Sequence, residues 1–189
     1  MTLRLIAGPA TEPLTLAEAK AHLRVSHTAE DDLITSFITA AREAAEHETG
    51  RSLITQTWEQ VLDTFPPCEI ELGWPDVLSV LSVKYTDTAS TEQTISPTYY
   101  VLDSATSPGW LLPAYGYTWP VTLDTVNAVR VRFTTGYGAA SDVPAGIKTW
   151  MKLRIGTLYR FREEVHGTPL SEMPGGYVDR LLDKYRVYA

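Results

Sequence analysis

The stretch Ala45-Glu46-His47-Glu48-Thr49-Gly50-Arg51-Ser52-Leu53-Ile54-Thr55-Gln56-Thr57-Trp58-Glu59-Gln60-Val61-Leu62 decides the fold. Before it, Leu33, Ile34, Phe37, Ile38, Ala41, Ala44 and Ala45 form one apolar helical stripe, and Arg42, Glu43, Glu46 and His47 occupy the remainder. Gly50 suits the left-handed residue that commonly ends a helix. Beyond it the period falls to two. Ile54, Gln56, Trp58, Gln60 and Leu62 alternate with Thr55, Thr57, Glu59, Val61 and Asp63, which reads as a strand. The chain therefore changes from helix to sheet just past Gly50.

Upstream, Thr15-Leu16-Ala17-Glu18 is a capping-box pattern after Pro13 and predicts a short helix to about Arg24. Thr28-Ala29-Glu30-Asp31 repeats the signal and predicts a second helix that runs to Thr49. Downstream, Glu69 to Leu72, Val77 to Tyr85, Tyr99 to Leu102, Trp110 to Leu112 and Val126 to Thr134 read as further strands. The polar stretch from Asp87 to Pro97 reads as a hairpin loop. Twelve of the 19 aromatics lie between Trp58 and Tyr137, as a small β core filled by large side chains requires. Helix returns at Asp142-Val143-Pro144 and should continue to about Glu164, with Ile147, Trp150, Met151, Ile155 and Leu158 as its apolar stripe. Residues 166–176 read as a loop, Tyr177 to about Tyr185 as a last short helix, and Arg186 to Ala189 as a tail. The expected fold class is α+β. Residues 1–52 and 143–189 form a helical bundle, and an antiparallel β domain at 53–142 is inserted between them.

Composition narrows the function. At 189 residues the chain fits one domain with a large insertion, and 44% hydrophobic with 21% charged residues is the balance of a globular protein. One cysteine, Cys68, excludes an intrachain disulfide and a multi-cysteine zinc site. No apolar run is long enough to span a membrane, and Met1 to Pro9 is too short and broken for a signal peptide. The net charge of −7 opposes broad attraction to nucleic acid or to anionic membranes. That charge is uneven: residues 144–189 carry eight basic and five acidic side chains, whereas 53–143 carry three and ten. Such asymmetry suits electrostatically complementary contacts.

Catalytic and ligand motifs are nearly absent. His22, His27, His47 and His166 fall in no metal-binding spacing, so neither a metal nor a cofactor is expected. Glu30-Asp31-Asp32 suits a helix N-terminus without needing a metal. Gly136-Tyr137-Gly138-Ala139-Ala140-Ser141 lies between strand and helix, as a dinucleotide-binding turn would. Ser141 replaces its third small residue, and no strand–helix alternation surrounds it. The chain is expected not to be an enzyme. A hydrolase hidden in the β segment and a DNA-binding packaging factor stand as the two alternatives.

Three sets of residues carry a family resemblance. Leu14-Thr15-Leu16-Ala17-Glu18-Ala19-Lys20-Ala21-His22-Leu23-Arg24-Val25 resembles the opening of tailed-phage head-to-tail connector (adaptor) proteins, also described as DNA-packaging proteins of the QLRG type. Asp31-Asp32-Leu33-Ile34, Ile38-Thr39-Ala40-Ala41-Arg42 and Glu48-Thr49-Gly50-Arg51 follow in the family's order. Val143 to Lys148, Leu158 to Glu163 and Leu181 to Tyr188 resemble its ending. The segment 53–142 is similar to the β insertion of long members, which include proteins of prophages and gene transfer agents. Ala21 to Val25 lacks the glutamine and glycine of the nominal signature.

The resemblance implies a structural part in the virion. Such proteins form rings, typically of twelve identical subunits, below the portal protein. The ring extends the DNA channel and presents a platform to a tail-side stopper or tail terminator. DNA would pass without specific binding through an anionic lumen. A closed ring needs two different faces per subunit, and Phe37, Ala41, Ala44 and Ala45 are the candidates for one of them. Tyr185, Arg186, Val187 and Tyr188 are the candidates for portal docking, because aromatic and arginine side chains are enriched among interface anchors.

Overall fold

A computed structural model describes residues 2–162, 176 and 178–187. The chain divides into two compact units. One comprises Met1–Ala10 and Thr55–Tyr137; the other comprises Thr11–Ile54 and Gly138–Ala189.

The first unit is built of strands: β1 (Thr2–Ala7), β2 (Gln56–Leu62), β3 (Ile70–Leu72), β4 (Val77–Thr86), β5 (Glu92–Ile95), β6 (Tyr100–Asp103), β7 (Gly109–Pro113) and β8 (Val129–Thr135). Five of them form an antiparallel sheet ordered β1-β2-β8-β4-β5, and three form a second ordered β3-β7-β6. Alternation along β8 explains the placement of the core. Val129, Val131 and Phe133 are fully buried, whereas Arg132 is exposed. They pack with Val83, Ile95, Phe65 and Val77, and with Ile70, Leu72 and Leu111 of the smaller sheet. Trp58 stacks on Trp74 at 4.8 Å and Phe65 on Trp119 at 4.9 Å against this core, whereas Tyr99, Tyr115 and Tyr117 are exposed, so part of the aromatic excess fills it. Gln60, fully buried, stitches β2 to β3. Its amide donates to the Glu71 carbonyl (2.7 Å), and its carbonyl oxygen accepts from Gly73 N–H (2.9 Å).

Two strands depart from the sequence reading. Thr2–Ala7 forms β1 where the sequence predicts no strand. Five of its six residues are exposed, so no burial pattern marks it. Four of the eleven residues of the expected 87–97 loop form β5. There the turn is made by Asp87, whose Oδ1 accepts from the amides of Ala89 and Thr91, and by Ser90 in the left-handed region. β5 is polar except for Ile95 because it is an edge strand.

The second unit is helical: α1 (Leu16–Leu23), α2 (Asp31–Thr49) and α3 (Ala145–Arg160), followed by two short 3-10 turns at Asp179–Leu181 and Asp183–Tyr185. The α1 capping box forms as predicted. Thr15 Oγ1 accepts from Glu18 N–H, and Glu18 Oε2 accepts from Thr15 N–H at 2.8 Å. α2 ends at Gly50, which takes φ 67°. Its start differs from expectation, since Glu30 and not Thr28 is the N-cap and no side chain caps it. α3 starts at Pro144 without a side-chain cap; Asp142 instead accepts from Ala139 N–H in a preceding 3-10 turn. Ile34, Ile38, Ala41 and Ala45 of α2 are buried, as are Ile147, Trp150, Met151 and Ile155 of α3. The expected helix at 177–185 is two 3-10 turns among its described residues. The expected loop at 166–176 lies outside the described residues except for Gly176.

Candidate assembly surfaces

Among the described residues, the surfaces offer contact chemistry. Two shallow concavities open on the β unit. One of about 310 Å³ is lined by Thr64 to Pro67 and Thr118 to Thr122, with no carboxylate, histidine, lysine or arginine. The other, about 260 Å³, is lined chiefly by Tyr85, Tyr99, Tyr117 and Trp119, again with no such group. Among the described residues there is no cluster of His, Cys, Asp or Glu able to hold a metal ion. No helix of the described residues is long and apolar enough to cross a membrane.

On the helical unit, α2 carries the four expected interface residues, but not as one accessible stripe. Ala41 and Ala45 are wholly buried in the chain, whereas the other two are not. The small size of Ala41 and Ala45 lets neighbouring segments pack closely over them. Phe37 and Ala44 are half-buried and keep some exposed surface.

The expected portal-docking residues also make intramolecular contacts. Val187 N–H donates to the Thr49 carbonyl at the end of α2 (2.9 Å). Arg186 Nη2 donates to Glu48 (2.9 Å), and its Nη1 lies 3.4 Å from Asp183. The Tyr185 ring lies over Gly146 at the start of α3, so close that a Cβ there would stand 3.1 Å from the hydroxyl. Lys184 Nζ stands 4.7 Å above the same ring. The segment 185–187 is therefore laid against α2 and α3. Tyr188 lies outside the described residues.

Two polar networks, neither anticipated as a whole, fix the helices that carry these surfaces. Arg42, with its side chain 8% exposed, donates through Nε to Glu12 (2.9 Å) and through Nη1 to Glu46 (2.7 Å). Glu46 also accepts from Leu53 N–H (3.0 Å), and Glu12 accepts from Thr39 Oγ1 (3.0 Å). Burial disfavours the Arg42 charge, but Glu46 and Glu12 outweigh it and raise its pKa. The second network joins the residue before α2 to the end of α3. Glu30 accepts from the Tyr159 hydroxyl and from Arg162 Nη2 (2.7 Å). These bonds, Tyr159 first and Arg162 second, hold the Glu30 carboxyl below its ordinary value, and Glu30 in turn raises the Tyr159 hydroxyl. The i,i+4 spacing of Arg42 and Glu46 was a visible signal. Glu12 and Glu30 gave none, because their partners lie far along the chain.

Comparison with known proteins follows the same lines. Residues 13–105 match the family described as "Phage gp6-like head-tail connector protein"; the match runs through α1, α2 and the strands from β2 to β6. No curated protein matches the chain. Among solved structures, a chain of the "Neck of empty GTA particle computed with C6 symmetry" superposes with a TM-score of 0.81 at 24% identity, covering 100% of this chain and 97% of that one. A chain of the "Virion of native gene transfer agent (GTA) particle" gives the same values. One from the "Neck of native GTA particle computed with C12 symmetry" gives 0.78 at 23% identity, with the same coverage. The likeness to these structures establishes the α+β fold over the full chain. Residues 13–105, about half of the chain, are in addition similar to the phage gp6-like head-tail connector family.

Proposed function

We propose that the protein is a ring-forming subunit of the head–tail junction of a phage-like particle, seated below the portal, where it lengthens the DNA channel and offers a platform to the next tail component. The family match over residues 13–105 carries this reading. The related necks were computed with sixfold and twelvefold symmetry, which suits a ring of identical subunits. The chain works by touching neighbours and not by transforming a substrate. Ring closure needs two unlike faces on each subunit. Phe37 and Ala44 on α2 supply part of one face. Portal docking falls to the C-terminal segment: Tyr185, Arg186 and Val187, held on α2 and α3, present Tyr188 and the remaining surface of Arg186 to the portal. The β unit carries four basic and nine acidic side chains, net −5. Acidic surface facing the channel lets DNA slide by without adhesion.

The experiment is a pull-down on purified portal protein with two truncations. Removing residues 188–189 keeps the hydrogen bond of Val187 to Thr49 and the ion pair of Arg186 with Glu48, so the helical unit stays folded by circular dichroism while portal capture falls. Removing 185–189 loses capture and also lowers the unfolding midpoint. Undiminished capture by a folded protein lacking 188–189 overturns the docking assignment.

A further inference from the structure

We infer that β1 is a docking edge for an extended segment of a different protein chain, a segment whose residues alternate between apolar and acidic. β1 stands at the end of the five-stranded sheet and pairs only with β2. Its outer side therefore presents a row of backbone donors and acceptors, the template for one more strand. Proteins usually blunt such an edge with lysine, proline or a very short strand. Here the strand has six residues and no proline. Leu5 and Ile6 on it are 51% and 44% exposed. The one irregularity in its pairing lies between Leu5 and Ala7 and leaves Thr2 to Leu5 in regular register.

The two faces of β1 specify what that added strand carries. On one face Leu3 packs against the β core, and Leu5 stands opposite Trp58, which is also packed on that core. The apolar layer thus runs out to the sheet edge, and an apolar side chain on a sixth strand continues it. On the other face Arg4 stands opposite Glu59, and Glu59 stands opposite Arg132. Glu59 Oε1 accepts from Arg132 Nη2 at 2.8 Å. The signs across the strands read plus, minus, plus, and Arg4 has no hydrogen bond or ion pair among the described residues. A carboxylate on the added strand completes the row.

Two acidic segments that a second copy of this chain could offer, among the described residues, are already committed. Glu69-Ile70-Glu71-Leu72 has the alternation, but Ile70 and Leu72 are buried in their own core, and the Glu71 carbonyl already accepts from Gln60. Glu92 on the open edge of β5 is committed to Lys84 and Arg130.

The test follows amide exchange in residues 2–7 of the full chain during titration with two blocked heptapeptides, one alternating valine with glutamate and one alternating valine with lysine. The glutamate peptide should slow β1 exchange by at least about tenfold, and the lysine peptide should not. Arg4→Glu should reverse the preference and Arg4→Gln should abolish it, with unchanged circular dichroism in both. Equal effects of the two peptides, or none from either, overturn the inference. So does β1 protection that grows with protein concentration in the absence of peptide, because it identifies a second copy as the occupant. The readout uses the isolated subunit and leaves ring assembly to be judged separately.

Discussion

Arg42 sets the energetics at the scale of single residues. Its charge is buried and answered by Glu12 and Glu46, so removing the cation alone strands carboxylates in a poorly solvated site. Arg42→Met should cost about 3–5 kcal/mol of stability. Arg42→Met with Glu46→Gln should cost less, because a glutamine carbonyl still accepts from Leu53 N–H and only Glu12, the more exposed of the two carboxylates, keeps its charge. Urea unfolding of the two variants and the parent checks this; equal loss in both would show that charge burial is not the cause. Glu30 predicts a pH dependence. Its folded pKa lies below the ordinary 4.5 through the Tyr159 and Arg162 bonds. The stability it contributes is therefore present above about pH 4.5 and is lost as the pH falls through the depressed folded value. Glu30→Gln should flatten that part of the acid limb in urea midpoints measured against pH. A sequence shows such pairs only when they are local. Arg42 and Glu46 are one helical turn apart, whereas Glu30 and Arg162 are 132 positions apart and meet only through tertiary packing.

Elements were legible where a side chain or a buried face writes their boundaries. The Thr15–Glu18 box, the Gly50 stop and a strand within Val126 to Thr134 all appear in the structure as read, the last as β8. β1 and β5 were missed because each is short and largely exposed, and their pairing depends on partners elsewhere in the chain. The Thr28 cap was misread because the sequence repeats the pattern of Thr15, whereas the backbone enters α2 two residues later. The two threonines make a matched pair of predictions. Thr15→Ala should destabilise by about 1 kcal/mol. Thr28→Ala should change stability by less than about 0.5 kcal/mol. Thermal unfolding of both variants distinguishes them, and equal losses would contradict the capping assignment. The expected interface stripe on α2 was legible as a stripe; how much of it is exposed was not. Periodicity identifies which residues share a side, and only packing shows that Ala41 and Ala45 are wholly buried in the chain.

At the scale of the whole molecule, the helical unit is assembled from both halves of the chain, Thr11–Ile54 and Gly138–Ala189, with most of the β unit inserted between them. The α+β class was readable from the change of period at Gly50 and its reversal near Pro144. The placement of the first ten residues with the strands was not. Catalytic motifs are sparse in the sequence, and the two concavities of the β unit lack acid–base groups other than tyrosine hydroxyls. What the molecule has instead is surface: an open strand edge, a half-exposed side of α2 and a C-terminal segment anchored by Val187 and Arg186. The proposed role makes symmetric assembly the property to test. The most direct measurement is electron microscopy of the purified protein mixed with portal protein, counting subunits around the axis. A closed ring of twelve copies coaxial with the portal is the predicted result, in keeping with the C12 symmetry with which a similar neck was computed. A protein that stays monomeric or forms only twofold dimers in the presence of portal would contradict the account.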